Sequence, residues 1–145
     1  MYLFLDIDGI FNVCGTEGIL DHCKVNFENF LDKIPSHILE DFKIIITSTW
    51  RIDKKEVLLS LLGEKITRYI KGYTPILNRN FVQGNRSLEI CDFLKDKFPD
   101  KYIIIDDMPS WFNQTHLNTS RLYIVNNRDG FTTHDAEQLL KGIMS

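Results

Sequence analysis

The chain has few cysteines, no long apolar segment and little net charge. Its three cysteines, Cys14, Cys23 and Cys91, are widely spaced and form no C-x-x-C pair, so neither a disulfide framework nor a zinc knuckle is expected. No apolar run approaches the roughly 18 residues that a membrane helix needs. The apolar start lacks a basic region and reaches an acid at Asp6, unlike a signal peptide. We therefore expect a soluble cytoplasmic protein without a membrane partner.

Size and charge narrow the class of protein further. The formal net charge of the 145 residues is -3, whereas general nucleic-acid binders carry a strong basic excess. A local basic patch is still compatible with this balance. Hydrophobic residues make up 43% and charged residues 26%, which is ordinary globular composition and excludes disordered and coiled-coil chains. A chain of this length usually forms one domain, so residues 1–145 are predicted to be a single domain.

Four short apolar runs end in polar residues and predict the strands of a sheet. These runs are Tyr2–Leu5, Ile44–Ile46, Tyr102–Ile105 and Leu122–Val125. Continuous apolar runs, rather than alternating ones, are typical of strands that are covered on both faces, as in parallel sheets. Helical patterns between them complete an α/β fold with right-handed crossovers and a mainly parallel sheet. Ligand sites in such sheets lie at the carboxyl ends of the strands.

The predicted helices run through Val25–Leu31, from Lys54 to Leu62, from Leu88 to Leu94 and from about His134 to Lys141. Asp53 and Ser87 are the predicted N-caps of the second and third helices. Gly63 and Pro99 are predicted to end these two helices. Neither an internal repeat nor a linker interrupts the pattern.

Two pairs of acids directly follow two of the predicted strands. Asp6 and Asp8 follow the first run, and Asp106 and Asp107 follow a later one. Like charges about 4 Å apart cost several kcal/mol at intermediate dielectric, so a cation is expected among them. Mg²⁺ prefers carboxylates, water and phosphate oxygens as ligands. Turn residues and N-caps are the alternative for either pair alone, but the two pairs together favour a site for Mg²⁺ and phosphate.

The same residues resemble the ordered motifs of the haloacid dehalogenase (HAD) superfamily. Asp6-Ile7-Asp8-Gly9 resembles its D-x-D-G motif, and Thr47 or Ser48 resembles its second motif, a hydroxyl at a strand end. Arg86 resembles the basic third motif, and Asp106-Asp107 the acidic fourth. The resemblance implies a Rossmann-like, three-layer α/β domain and a Mg²⁺-dependent phosphatase.

In that family pattern Asp6 is the nucleophile. Asp8 then protonates the leaving oxygen and activates water for the second step, and its backbone carbonyl also binds the metal ion. Asp6, Asp8, Asp106 and Asp107 are therefore the predicted metal ligands. Whether Asp106 or Asp107 ligates the ion directly is open.

The hydroxyl motif and its neighbours are assigned to the phosphate. Thr47 would hydrogen-bond the phosphoryl oxygens, and it is preferred over Ser48 because it comes first after the apolar run. Ser48, Gly9 and Arg51 are assigned to substrate binding. Arg51 would contact a second phosphate of the substrate or brace the acids, and both interpretations are open. Trp50 is predicted to be a core residue.

Arg86 is assigned the role of offsetting the negative charge on the nucleophile and on the phosphate. Lys71 and Arg79 are rivals for this role. A broader basic patch with aromatic residues is also conceivable between the second and third motifs, although a solvated charged face explains it equally well. Its members are Arg51, Lys54, Lys55, Arg68, Lys71, Arg79 and Arg86, with Tyr69, Tyr73 and Phe81.

A closer resemblance is to the capless HAD domains associated with RNA-repair proteins. It rests on Asp6–Asn12, Thr47–Arg51, Gly84–Arg86 with Glu89-Ile90, Ile105–Asp107 and Gly130-Phe131-Thr132. The segments between the motifs are too short for a folded cap, which predicts an open site. This resemblance implies a phosphatase acting on an RNA or DNA end. A nucleotidase or small-metabolite phosphatase, and a module that binds phosphate without turnover, are the alternatives.

Overall fold

A single sheet organises the part of the chain that the structure, a computed structural model, describes, namely residues 1–77, 85–99, 101–112, 117 and 121–145. Its strands are β1 (Tyr2–Leu5), β2 (Lys43–Ile46), β3 (Ile70–Tyr73), β4 (Tyr102–Asp106) and β5 (Leu122–Ile124). Their order is β3-β2-β1-β4-β5, and every neighbouring pair is parallel. The predicted α/β fold is confirmed. Strand β3 was not predicted, because this edge strand carries Lys71 and Gly72 instead of a continuous apolar run.

Seven α-helices and one 3-10 helix surround this sheet in the described residues. They are α1 (Asp21–Asp32), α2 (Ser36–Leu39), α3 (Trp50–Asp53), α4 (Lys55–Leu62), α5 (Glu64–Thr67), α6 (Asn85–Leu94), the 3-10 helix Pro109–Phe112 and α7 (Thr133–Met144). Among these helices none is long and apolar enough to cross a membrane. The four predicted helices correspond to α1, α4, α6 and α7.

Two predicted helix caps are wrong. Asp53 is the last residue of α3, and Lys54 precedes α4 without a side-chain capping bond. The helix that Ser87 was expected to cap starts earlier, at Asn85, and it ends at Leu94 before Pro99. Gly63 does end α4, with φ of 78°. The start of α7 carries a capping box between Thr132 and Asp135, which was not predicted although the sequence has the T-x-x-D spacing.

Alternate strand residues bury two separate cores, one on each face of the sheet. Leu3 and Leu5 of β1 pack with apolar residues of α1, α4, α5 and α7, whereas Phe4 packs with Ile90 of α6 and Phe112 of the 3-10 helix. Side chains of a strand point alternately to its two faces. The strands can therefore be apolar throughout, and the predicted three-layer arrangement is confirmed.

The strand register brings the motif residues to one edge. Leu5 pairs with Ile46 of β2 and with Ile105 of β4. The next residue on each strand is therefore level with its neighbours: Thr47 N–H donates to Leu5 O at 3.0 Å, and Asp6 N–H donates to Ile105 O at 3.0 Å. Neighbouring strands lie about 4.8 Å apart, so Asp6 has Thr47 on one side and Asp106 on the other.

The loop after β1 is fixed by the segment before α7. Phe131 N–H donates to Ile10 O at 2.8 Å, and the Phe131 ring is fully buried. Gly130 has φ of 68°, and a Cβ there would lie 2.6 Å from Cys23 Sγ and 3.2 Å from Asn12 O. Only glycine permits this conformation and this close approach without strain.

Replacing Gly130 with alanine tests this constraint. We expect Gly130→Ala to lower the free energy of unfolding by roughly 1–3 kcal/mol, because it combines a left-handed backbone with overlap against Cys23. Gly142→Ala is the matched control, since a Cβ there meets nothing within 4 Å. It lies in α7, where alanine should stabilise by about 0.5–1 kcal/mol. Urea unfolding of both variants makes the measurement, and equal stability of the two would contradict this account.

Candidate active site

Three of the four predicted metal ligands meet at the carboxyl edge of the sheet. Asp6, Asp106 and Asp107 each offer a carboxylate oxygen, and these oxygens lie within 4.8 Å of one another. Asp6 and Asp106 are buried, with exposures of 3% and 0%, and Asp107 is half-buried. Asp8 contributes no side-chain oxygen to this group. Its predicted ligand is a backbone carbonyl, and that assignment stays a prediction.

Among the described residues, Arg86 is the cation that contacts this cluster. Its Nη1 lies 3.1 Å from Asp6 Oδ2 and 2.7 Å from Asp106 Oδ2, and the residue is 8% exposed. It comes from α6, on the opposite face of the sheet from α1. Lys71, its rival, is exposed on the edge strand β3, and Arg79 lies outside the described residues. The structure therefore places Arg86, rather than Lys71, beside the predicted nucleophile.

The acid cluster carries more negative charge than Arg86 compensates. Burial raises the pKa of Asp6 well above its usual range; Arg86 opposes this, and Asp106 and Asp107 add to it. Burial also raises the pKa of Asp106, again against Arg86. The pKa of Arg86 is raised because its carboxylate neighbours outweigh its own burial. Three carboxylates facing one guanidinium leave two negative charges without compensation when all are ionised.

This donor set fits a divalent cation with a preference for oxygen. All three groups are carboxylates, and their charge deficit equals the charge of Mg²⁺. Gly9 makes the arrangement possible, since it has φ of 82° and a Cβ on it would overlap the Asp107 carboxylate. Gly9 was assigned to substrate binding. Its N–H donates to Asn12 Oδ1 at 2.8 Å, so in this structure Gly9 stabilises the loop after β1, and its role in substrate binding stays a prediction.

Asp8 occupies a different environment from Asp6. It is exposed, and its Oδ1 accepts from Trp50 Nε1 at 3.1 Å and from Asn12 Nδ2 at 3.0 Å. Ile7 between the two acids is fully buried, which places the two carboxylates in separate surroundings. Trp50 was predicted to be a core residue. It does pack against the larger core, but it is only half-buried and its indole N–H donates to Asp8, because α3 starts directly at the carboxyl edge.

Asn12 was missed as a site residue. Its side chain accepts from Gly9 N–H and donates both to Asp8 and to Gly18 O, the latter at 2.9 Å. An asparagine four residues after an acid in a glycine-rich loop is the signal that could have identified it. Asn127, which donates to Asp107 Oδ2 at 3.3 Å, was missed as well.

The hydroxyl motif presents one free and one engaged side chain. Thr47 is 1% exposed, and its Oγ1 has no hydrogen-bond partner among the described residues. An unpaired buried hydroxyl costs roughly 1–3 kcal/mol. Ser48 is equally buried, but its Oγ accepts from Trp50 N–H at 3.3 Å. Thr47 is thus the hydroxyl that gains a partner when an oxygen ligand binds.

Arg51 has a bracing arrangement. All five of its N–H groups donate to protein acceptors: the carbonyls of Thr47 and Ser48, the carbonyls of Thr74 and Pro75, and the carboxylate of Glu89. The Glu89 contact is a buried ion pair of 2.6 Å. Of the two interpretations left open, a contact with a second substrate phosphate would require breaking these bonds. Nor do any of these five bonds brace the site acids directly, as the other interpretation expected. Arg51 instead ties the ends of β2 and β3 to α6.

Glu89 provides the test of this brace. We expect Glu89→Ala to lower the free energy of unfolding by roughly 3–5 kcal/mol, because it leaves a buried guanidinium without its counter-charge. Glu64→Ala is the control, since Glu64 is 89% exposed at its side chain and lies 3.9 Å from Arg68. That variant should change stability little. Chemical unfolding compares the two, and a mild effect of Glu89→Ala would mean that water or a neighbour replaces the ion pair.

An acid pair after the first of five parallel strands, a hydroxyl after the second and an acid pair at the end of the fourth define the HAD class of α/β domains. The chain matches the model of the family described as the HAD domain in Swiss Army Knife RNA repair proteins over residues 2–136, and it belongs to this family. The predicted resemblance to HAD domains of RNA-repair proteins is confirmed. No curated protein and no solved structure matches the chain significantly. Membership supports a phosphatase-type HAD function.

Proposed function

We propose that this protein is a Mg²⁺-dependent phosphatase that removes a terminal phosphate from a polynucleotide through an aspartyl-phosphate intermediate on Asp6. The observation that carries the proposal is the pair of environments at the end of β1. Asp6 is buried among two further carboxylates and Arg86, and Asp8 is exposed and held by two N–H donors. A nucleophilic carboxylate and a proton-donating carboxyl group need different surroundings of this kind, so that one is ionised while the other carries a proton.

In the first step a carboxylate oxygen of Asp6 attacks phosphorus, and the bond from phosphorus to the ester oxygen breaks. The proton that the leaving oxygen needs comes from Asp8. Both donors to Asp8 bind Oδ1, which favours Oδ2 as the oxygen that carries the proton. The products of this step are the free alcohol and phosphorylated Asp6.

In the second step water attacks phosphorus and gives its proton to Asp8. The bond from phosphorus to Asp6 breaks, inorganic phosphate leaves, and both acids return to their starting states. Thr47, whose buried Oγ1 is unpaired in the described structure, would donate to a phosphoryl oxygen. Arg86 would offset charge on the phosphate as it already does on Asp6.

Asp6, Asp106 and Asp107 would hold Mg²⁺, together with the Asp8 backbone carbonyl. When bound, the ion supplies charge compensation between the carboxylates and the dianionic phosphate. Without the ion, burial and the neighbouring acids keep the pKa of Asp6 raised. A proton on Asp6 would block its attack, so ion binding and activity should be lost together.

The segments between the motifs support a site without a large cap. The α1 and α2 helices lie between β1 and β2, and α3, α4, α5 and β3 follow β2 within the described residues. Residues of α1, α4 and α5 pack into the core beneath the sheet rather than forming a separate unit. An open site admits a phosphate on a macromolecule, which is consistent with a family found in RNA repair proteins.

Asp6→Asn tests the nucleophile. We expect phosphate release to fall by roughly 10³-fold or more, since no other group can form the covalent intermediate. The substrates are an aryl phosphate, mononucleotides, 3′- and 5′-phosphorylated oligonucleotides and a phosphopeptide, each with and without Mg²⁺. Asp32→Asn, an exposed acid at the end of α1, is the matched control and should keep full turnover. Retained turnover in Asp6→Asn would exclude the nucleophile assignment, and faster turnover of mononucleotides would favour a nucleotidase.

The same variant should remain folded, with a defined dependence on pH. A carboxyl group whose pKa is raised in the folded state stabilises the fold below its unfolded pKa, usually 3.8, and that contribution is lost as pH rises through the folded pKa. Without Mg²⁺ we therefore expect the Tm of Asp6→Asn to exceed that of wild type increasingly as pH rises from about 4 towards neutrality. Added Mg²⁺ should raise the Tm of wild type more than that of the variant. A Tm difference that shrinks with pH would contradict the raised pKa.

Asp8→Asn tests the proton donor through the leaving group. General acid catalysis contributes roughly 10²–10⁴-fold, and it matters most when the leaving alcohol is weakly acidic. We expect a much larger loss of turnover for a nucleoside phosphate than for a nitrophenyl phosphate. The second step is common to both substrates, so the difference reports on the first step alone. Equal losses for the two substrates would remove Asp8 from the protonation of the leaving group.

A further inference from the structure

A cleft runs from Asp8 along the junction of α3 and α4. Its inner part, of about 150 Å³, is lined by Asp8, Thr49, Trp50, Asp53 and Lys54. An adjoining hollow of about 330 Å³, lined by residues 52–57, shares Asp53 and Lys54 with it. We call these two parts together the α3–α4 cleft. A larger cleft of about 620 Å³ lies at the opposite end of the sheet, around Tyr2 and Lys43, and contains no residue of the candidate active site.

Two lysines along this cleft lie on aromatic rings. Lys54 Nζ is 5.2 Å from the centre of the Trp50 ring, and Lys55 Nζ is 4.5 Å from the centre of the Tyr73 ring. Both lysines are exposed and both rings are half-buried. Each pair thus offers an ammonium group and an apolar ring within about 5 Å, which are the two elements that a nucleotide unit requires.

The two pairs follow each other away from the candidate active site. Trp50 donates to Asp8, so the first pair adjoins the proposed proton donor. Tyr73 ends β3, in register with Ile46 of β2, so the second pair lies one strand further from Asp6. The cleft therefore begins at Asp8, the residue to which the leaving oxygen is assigned, and extends away from Asp6.

Helix stability does not explain these lysines. Lys54 precedes α4 and Lys55 is its first residue, and a cation at the amino end of a helix opposes the helix dipole. An anionic ligand removes that conflict. Asp8, Asp53 and Glu56, all exposed, line the same cleft, so three carboxylates against two lysines leave its lining with one net negative charge. The cleft therefore does not attract polyanions in general. It favours a strand whose terminal phosphate is already bound at Asp6.

Four other described members of the basic patch are engaged elsewhere. Arg51 and Arg86 are buried in ion pairs, and Arg68 lies near Glu64. Tyr69 packs edge-on against Phe42 of the core, with ring centres 6.0 Å apart. Arg79 and Phe81 lie outside the described residues. Within the described residues the patch is thus reduced to the Lys54–Trp50 and Lys55–Tyr73 pairs and the exposed Lys71 on β3.

We propose that the α3–α4 cleft is the binding site for the nucleotides next to the phosphorylated end of a single-stranded polynucleotide. Lys54 and Lys55 bind the phosphodiester groups, and the Trp50 ring in the cleft contacts one base. The Tyr73 ring, which does not line the cleft but lies beside it under Lys55, contacts the next base. This inference rests on the proposed function for its substrate class. It adds the residues that recognise the strand and the direction in which the strand leaves the site.

The test measures binding separately from turnover. Labelled single-stranded oligonucleotides with a terminal phosphate are titrated with the Asp6→Asn protein in Mg²⁺, by fluorescence anisotropy, at several salt concentrations. A single-strand phosphate contact contributes about 0.7 to the slope of log K against log salt. Lys54→Ala/Lys55→Ala in this background should therefore weaken binding and reduce the slope by about 1.4. Lys54→Arg/Lys55→Arg should retain most of the affinity.

The matched control is Lys33→Ala/Lys65→Ala, which removes the same charge from two exposed lysines after α1 and within α5. It should change neither the affinity nor the slope. Trp50→Leu, in the Asp6→Asn background, should weaken oligonucleotide binding by roughly 5- to 150-fold, the range of one lost base-stacking contact. Because the Asp6→Asn protein is not expected to turn over substrate, losing the hydrogen bond from Trp50 to Asp8 affects this binding measurement only through binding, not through catalysis.

Equal affinities of Lys54→Ala/Lys55→Ala and its control would overturn the inference. So would a phosphopeptide that binds more tightly than the oligonucleotide and depends on the same lysines. Turnover of an aryl phosphate by the wild-type protein tests the proposed function independently. If that turnover is absent while the lysines still govern oligonucleotide binding, the proposed reaction fails and the binding site stands.

Discussion

The repulsion among buried carboxylates at the end of β1 is the constraint on which the rest of this site depends. Asp6 and Asp106 are excluded from water, and Asp107 stands beside them. One guanidinium, from Arg86, touches both buried acids. Such a cluster is unfavourable for stability alone, because burial and like charge both raise the pKa of Asp6. Its arrangement is understandable as a site whose charge becomes balanced when a divalent cation binds among the three carboxylates.

The surrounding fold supplies the rigidity that this charge arrangement requires. The loop after β1 is held by Asn12 from within and by the Phe131 backbone from outside. Arg51 and Glu89 tie the ends of two strands to α6, the same helix that carries Arg86. Each brace involves a buried polar group with its hydrogen bonds formed, and such networks fix geometry rather than add large stability. The site is thus positioned by residues that need not contact a substrate.

Much of the fold and of the acid cluster could be predicted from local sequence. Apolar runs that end in acids or a hydroxyl specify buried parallel strands, and the edge where they end collects Asp6, Thr47 and Asp106. The edge strand β3 could not be recognised in this way, because Lys71 and Gly72 interrupt its pattern. The start of α6 was misplaced for a similar reason, since Ser87 is a typical cap residue but lies inside the helix. Local propensity is a weak guide where tertiary packing decides where an element begins.

Residue type and spacing specify the order of the strands' polar ends, the identity of the acids and the membership of the HAD class. The folded arrangement of the chain established the partners of the long side chains. It assigned Arg86 rather than Lys71 to Asp6, gave all five donors of Arg51 to protein acceptors, and brought Trp50 onto Asp8. These contacts join residues from 3 to 80 positions apart in the chain. Which long side chain contacts which acid depends on strand register and helix placement, and no local sequence pattern encodes these contacts.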